Sequence, residues 1–371
     1  MRIGVNALYL IPGQVGGTEI YLRHLLRALA DIDRANEYVI FTNSETGSDI
    51  SPDPRRFRVV ESRLRARFRP GRILWEQVAL PLLVARHRID VVFNPGFTSP
   101  LLCPRPAVTV FHDLQHKRHP ENFRWFDLPF WRFLLRGAAH RSRLLLAVSE
   151  KTRGDLLRLY NLPERKVRVA ELGVDPFFFE LGPRRAQEAN GAAPYLFSVS
   201  TLHPHKNLDT LIEAFACFHR ERPHFRLIIT GLRGFAASRL ESLRSRLALD
   251  QAVVFTGWVP RHELYDLYLK ATAFLYPSRF EGFGLPVLEA LAAGVPTACS
   301  SIEPLAGLAG AAVLPFHPGD VSAVYEAMVR ITSDAPLRSR LAAAGPARAR
   351  GFSWENTARR TLEALLAAAD K

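Results

Sequence analysis

Short apolar runs alternate with longer amphipathic stretches along almost the whole chain, and this rhythm breaks once and then restarts. Runs such as Val91–Asn94 are short and almost wholly apolar, as strands covered on both faces of a parallel sheet are. In the first half, strands are predicted at Arg2–Asn6, Tyr38–Thr42, Phe57–Val60, Val91–Asn94, Val108–Phe111, Leu144–Val148 and Val167–Ala170. Helices are expected over Thr18–Ala30, Ile73–Arg86, Asp127–His140 and Glu150–Tyr160. The break runs from Gly173-Val-Asp-Pro through Gly182-Pro-Arg-Arg to Ala193-Pro194 and reads as a linker. Beyond it, strands are predicted at Tyr195–Val199, Arg226–Thr230, Val253–Thr256, Ala273–Tyr276 and Pro296–Cys299. The helices between them include Leu208–Glu221, Arg261–Ala271 and Pro286–Ala293. This is the pattern of an α/β chain with two consecutive Rossmann-like domains, at residues 1–180 and 181–352.

One connection in the second half carries chemistry. Glu281-Gly-Phe-Gly-Leu-Pro-Val-Leu-Glu289 follows the Ala273–Tyr276 strand and opens a helix. Gly282 and Gly284 let the backbone approach a ligand, and Pro286 suits the first helical position. The helix N–H groups then favour phosphate. Glu289, expected within the first turn, can accept both hydroxyls of a ribose diol, and Glu281 is placed for the other end of the ligand. The plain alternative is an ordinary connection with two surface glutamates.

Other candidates are weaker alone. Gly13-Gln-Val-Gly16-Gly17-Thr18 opens a helix after the first strand, so Gly16 and Gly17 could admit a donor or an acceptor. His112 ends a strand and can hydrogen-bond a sugar hydroxyl, or it can be structural. Lys206 can supply the point charge that a diphosphate needs, or it can be solvated. Ser149 and Glu150 read as a helix cap and its first turn. Asp31-Ile-Asp33 reads as a solvated helix end, so neither a metal nor a cofactor is expected.

The net charge of +13 lies mostly in the first half, where eight arginines fall between Arg55 and Arg72 and further arginines interleave with Phe and Trp over 123–136. That composition suits an anionic membrane surface. It also fits arginine-rich composition with a buried aromatic helix, and nucleic acid is not the expected partner. No apolar run is long enough to span a bilayer, the chain opens as a strand, and its three cysteines are scattered. A reducing, cytoplasmic setting follows as an expectation.

Glu281-x7-Glu289 with its internal Gly-Phe-Gly-Leu-Pro resembles the signature of the family 4 retaining glycosyltransferases, and the likeness covers most of the chain. The resemblance implies a GT-B fold, two facing Rossmann-like domains with an interdomain cleft, and a final helix over 353–371 crossing back to the first domain. It places a nucleoside-diphosphate sugar in that cleft. Glu289 would hold the ribose, Lys206 the diphosphate, and Glu281 the sugar together with the Gly282, Phe283, Gly284 and Leu285 backbone. Gly231 and Val259 lie in loops that frame the base. Val110-Phe-His112-Asp-Leu matches the family's donor-sugar contact, and the loop of Gly16 and Gly17 matches its first loop. The leaving diphosphate would take the acceptor's proton on the same face, without a metal. Trp75–Pro81, Phe111–Asp113 and Thr201–Asn207 look most like bacterial mannosyltransferases of polysaccharide and O-antigen assembly. That implies GDP-mannose, a glycan or lipid-linked acceptor, and peripheral contact with the cytoplasmic face of the inner membrane. Many relatives carry an arginine before the lysine, whereas this chain has Ser200, Thr201 and Leu202. A UDP-sugar transferase, a sugar-nucleotide epimerase and a catalytically silent binder remain the rivals.

Overall fold

A computed structural model describes residues 1–123, 125–188 and 193–370 and separates two compact units. Met1–Gly173 and Ser353–Lys371 form the first, and Val174–Phe352 the second.

The first unit holds seven parallel strands in the order β3-β2-β1-β4-β5-β6-β7. These are β1 (Arg2–Asn6), β2 (Glu37–Thr42), β3 (Phe57–Glu61), β4 (Val91–Asn94), β5 (Ala107–Phe111), β6 (Leu144–Ala147) and β7 (Val167–Val169). Every residue of β4, β5 and β6 is buried, as strands must be when helices cover both faces. The helix Trp354–Ala369 packs on the helix Gly17–Ile32, where the Trp354 ring stacks on His24 at 5.2 Å. A Cβ on Gly173 would lie 2.1 Å from the Trp354 nitrogen, so this approach requires glycine.

The second unit holds six parallel strands in the order β10-β9-β8-β11-β12-β13. These are β8 (Tyr195–Val199), β9 (Arg226–Thr230), β10 (Val253–Gly257), β11 (Ala273–Tyr276), β12 (Thr297–Ser300) and β13 (Leu314–Phe316). Read from β8, this is the Rossmann order, with the direction of winding reversing between β8 and β11. The helix Leu208–Glu221 shows why the sheet is covered. Leu208, Leu211, Ile212, Phe215 and Phe218 recur at helical spacing and are all buried in the unit's core.

Four expectations need correction. The segment read as a linker contains the helix Phe177–Glu188, and the units divide at Gly173, seven residues before the expected boundary. Its Gly182 and Pro183 are tolerated inside a helix that packs against Arg261–Lys270, while residues 189–192 of that segment lie outside the described residues. The strand β13 is absent from the expected set, because three residues give no readable period. Pro286 is the second residue of its helix, not the first, because Gly284 at φ +107 caps a helix that begins at Leu285. Glu289 therefore stands one turn in. Asp33 is not a solvated helix end. It is buried, and its carboxylate accepts from the Tyr38 hydroxyl at 2.6 Å and the Asn36 amide at 2.9 Å.

Candidate functional site

Open parallel sheets bind ligands at the carboxyl ends of the strands where the winding reverses, because the loops there diverge and leave a crevice. In the second unit the loops after β8 and β11 meet at that point. They are stitched together by the Arg279 N–H donating to the His205 carbonyl at 2.8 Å and the Asn207 amide donating to the Pro277 carbonyl at 3.0 Å. Asn207 adopts a left-handed φ of 56°, which Asn tolerates better than most residues, and this turns the chain from a short 3₁₀ segment into the Leu208–Glu221 helix.

Lys206 and Glu281 come together here. The Lys206 ammonium donates to Glu281 Oε1 at 2.7 Å, with the two side chains only 16 % and 9 % exposed. Tyr276, the last residue of β11, donates its hydroxyl to the same carboxylate oxygen at 2.8 Å. Burial pushes the Tyr276 hydroxyl well up from its ordinary pKa, and the Glu281 charge adds to this, so it remains a donor. The glutamate is thus fixed by two donors, while the lysine keeps N–H capacity for an arriving anion.

Glu289 lies on the helix that follows and is buried, not a surface residue. Its carboxylate accepts from Arg261 at 3.1 Å and from the Tyr268 hydroxyl at 3.2 Å. Burial raises its pKa and the Arg261 charge opposes that rise. Arg261 also donates to Asp175 at 3.1 Å, and Tyr265 donates to Asp175 as well. Burial alone would weaken the guanidinium's hold on its proton, but Glu289 and the other acceptors around it raise its pKa. Arg261, Tyr276 and Asp175 escaped sequence reasoning. Tyr276 ends a strand like any core aromatic, Asp175 fell in the supposed linker, and Arg261 sits in an ordinary helical first turn.

The glycines divide by cause. A Cβ on Gly284 would lie 2.3 Å from Leu305 Cδ2, and one on Gly231 would lie 2.1 Å from the Ser200 carbonyl oxygen. At both positions packing within the protein already demands glycine. Gly282 is buried in the bend just before Gly284. The Phe283 ring is turned into the core against Phe352 at 5.9 Å, and Leu285 begins the helix half-buried. Val259 is half-buried in the loop after β10, beside an exposed Trp258. His203, which follows the Ser200-Thr-Leu stretch where many relatives carry an arginine, stacks on His205 at 5.8 Å. Burial lowers its pKa and the Lys206 charge adds to that, so it stands neutral and replaces no cation near pH 7.

The first unit carries His112, Gly16 and Gly17. His112 Nε2 lies 2.8 Å from the Pro95 carbonyl, which can only accept, so Nε2 carries the proton and Nδ1 is the acceptor. Burial lowers its pKa to about 4, so the imidazole is neutral near pH 7 and offers a lone pair, not a charge. Phe97 packs against it at 5.2 Å while holding a φ of +67°, an uncommon conformation for a bulky residue. Gly16 caps the Gly17–Ile32 helix at φ +60, and a Cβ on either Gly16 or Gly17 would meet nothing within 4 Å. Packing does not explain these two glycines, and space lies in front of them. Ser149 caps its helix by accepting from the Thr152 N–H, as its position suggested. Among the described residues no group of three or more His, Cys, Asp or Glu is assembled to hold a metal.

Two parallel Rossmann-like units make this a GT-B fold, shared with solved glycosyltransferases. Residues 15–177 match the family model described as Glycosyltransferase Family 4, and residues 183–348 match that of Glycosyl transferases group 1. The chain belongs to family 4 of the glycosyltransferases. It is similar to O-antigen chain mannosyltransferase B of Escherichia coli, with 31 % identity over 79 % of this chain and 82 % of that protein. It is also similar to a GDP-mannose-dependent alpha-(1-6)-phosphatidylinositol monomannoside mannosyltransferase of Mycobacterium tuberculosis, with 29 % identity over 77 % of each chain. Among solved structures it shares its fold with a sucrose-phosphate synthase from Thermosynechococcus elongatus, at a TM-score of 0.80, 20 % identity and full coverage of both chains.

Proposed function

We propose that this glycosyltransferase is a retaining, metal-independent hexosyltransferase that moves mannose from GDP-mannose to a hydroxyl of a glycan or lipid-linked acceptor in cell-surface polysaccharide assembly. The observation that carries the reading is the buried Lys206–Glu281 pair, with Glu289 on the helix that follows. In this reading Lys206 takes negative charge on the diphosphate, Glu281 accepts from sugar hydroxyls and Glu289 from the ribose diol. Gly282, Phe283, Gly284 and Leu285 offer backbone to the donor, and the loops of Gly231 and Val259 frame the base. His112 accepts from a sugar hydroxyl through Nδ1, and Gly16 and Gly17 admit donor or acceptor.

The sugar C1–O bond to the diphosphate breaks as the acceptor oxygen bonds to C1, and the acceptor's proton passes to the leaving diphosphate oxygen on the same face. Electrostatic stabilisation of that leaving group is the largest contribution available to the protein. The similarity to mannosyltransferases, one of them named as GDP-mannose-dependent, supports the donor. No helix among the described residues is long and apolar enough to cross a membrane. We place the enzyme in the cytoplasm, with its basic first unit in peripheral contact with the anionic membrane face.

A donor panel of GDP-mannose, UDP-glucose, UDP-galactose and UDP-N-acetylglucosamine, scored by thermal shift and then by product analysis, tests this. GDP-mannose should stabilise most, and released GDP should accompany a glycosylated product. Lys206→Ala should reduce kcat/KM by roughly 100-fold, the effect of losing a charge-stabilising group in a preorganised site. Unchanged turnover, or interconversion of free sugar nucleotides, overturns the reading.

A further inference from the structure

Two cavities of the first unit meet on the helix Arg69–Arg86. One, of about 540 Å³, is walled by Tyr9, Thr18, Arg67, Arg69, Arg72 and Trp131 among others. The other, of about 850 Å³, runs between that helix and Leu128–Arg141, with Leu74, Val78, Leu102, Phe130 and Phe133 on its walls. Arg69 and Trp131 line both, so a basic chamber and an apolar groove adjoin across these two side chains.

Each half is poorly satisfied by the protein alone. Leu74, Val78 and Leu82 recur every four residues on one helix face and are 66 %, 56 % and 69 % exposed. Phe133 and Leu102 are 63 % and 75 % exposed. Apolar surface gathered in this way marks a binding site more often than a bare exterior. In the chamber, Arg69 and Arg72 lie one turn apart, and no acidic residue occupies the first turn of their helix. The Arg72 Nε is buried without a hydrogen-bond partner, and among the described residues no ion pair reaches its guanidinium. Glu76, one turn further on, attracts it from a distance but spends its carboxylate on Thr98 at 2.8 Å and Gln77 at 3.3 Å. Arg67 is partly engaged by Glu45 at 3.3 Å, and Asp113 also lines the chamber. An anion with several oxygens in the chamber would give Arg72 and Arg69 a shared counter-charge and relieve their repulsion.

We propose that these adjoining cavities bind the acceptor as an anionic amphiphile, with phosphate-ester oxygens on Arg72 and Arg69 and a hydrocarbon chain along the groove between the 69–86 and 128–141 helices. The word acceptor rests on the transferase reading above. The binding does not.

The test uses the full chain and monomeric dodecyl phosphate, with dodecyl maltoside as a neutral probe of the same chain length and inorganic phosphate as the head alone, all by calorimetry. Dodecyl phosphate should bind about tenfold or more tightly than the maltoside, the effect of charge-assisted hydrogen bonds to its head group. The double variant Arg69→Gln with Arg72→Gln should abolish that preference, and Arg72→Lys should retain part of it. Val78→Asp with Phe133→Asp, both on exposed side chains, should weaken both amphiphiles and leave inorganic phosphate unaffected. Equal binding of the two amphiphiles overturns the proposal, and so does wild-type affinity in the double arginine variant. So does binding to phosphatidylglycerol vesicles without binding of the monomer, which would make the groove a membrane-docking face. Unchanged circular dichroism and urea midpoints show that the variants fold. If dodecyl phosphate binds as expected while no donor supports transfer, the transferase reading fails and this one stands. Transfer to an acceptor with no preference for the phosphate amphiphile overturns this proposal and leaves the transferase reading intact.

Discussion

Arg261→Met is the substitution that most directly examines the proposed ribose site, because Arg261 holds Glu289 without being a proposed ligand contact. A neutral carboxylic acid has one donor and cannot accept equally from both hydroxyls of a diol, so ribose binding needs Glu289 ionised. Burial favours its protonation, and the guanidinium at 3.1 Å is the main force opposing it. At an effective dielectric of 20 that attraction is about 5 kcal/mol. The guanidinium is 30 % exposed and therefore partly screened, so about half of this is a fair working value. Its loss should raise the pH above which nucleotide binds. Calorimetric titration of GDP against pH should show the variant binding weakly at the acid end and recovering as pH rises. Glu289→Gln should bind weakly throughout, because it has no carboxylate to recover. A GDP affinity and pH profile in Arg261→Met that match wild type would refute the argument, and with it the assignment of Glu289 to the ribose.

Two further outcomes follow from geometry already described. Gly231→Ala forces a Cβ to within 2.1 Å of the Ser200 carbonyl oxygen at a φ of +147, so its melting temperature should fall by about 5–10 °C. An unchanged melting temperature would mean that the β8 and β9 loops are not held as described. His112 titrates near 6.5 in an unfolded chain but only at about 4 when folded. The unfolded state therefore binds the extra proton between those values, and its contribution is intact above pH 6.5 and is lost as pH falls toward 4. His112→Asn should flatten urea stability against pH in that window by up to one proton. His116, lowered to about 4 chiefly by burial, should retain its own slope.

Much of the fold was legible because covered parallel strands are nearly pure apolar runs and the helices between them keep a clear 3.6-residue period. The expected strand at Ala273–Tyr276 and helix at Leu208–Glu221 match the observed elements residue for residue. What failed had a local signal that pointed the wrong way. Gly182 and Pro183 read as breakers, yet the packed surface of Arg261–Lys270 holds their segment helical. Asp33 read as solvated, yet Tyr38 and Asn36 satisfy its carboxylate in the interior.

The site divides in the same way. Sequence alone determined that Glu281, Gly284 and Glu289 share one strand–turn–helix connection, because their spacing is a property of the chain. Only tertiary structure decided that Lys206, 75 residues away, donates to Glu281, and that Tyr276 shares that carboxylate. It also decided that Arg261 and Asp175, 86 residues apart, complete the shell around Glu289. The physical reason is the reversal of winding between β8 and β11. It brings together two loops that are remote in the chain and buries their opposite charges, and no local propensity records which distant residue will neutralise which.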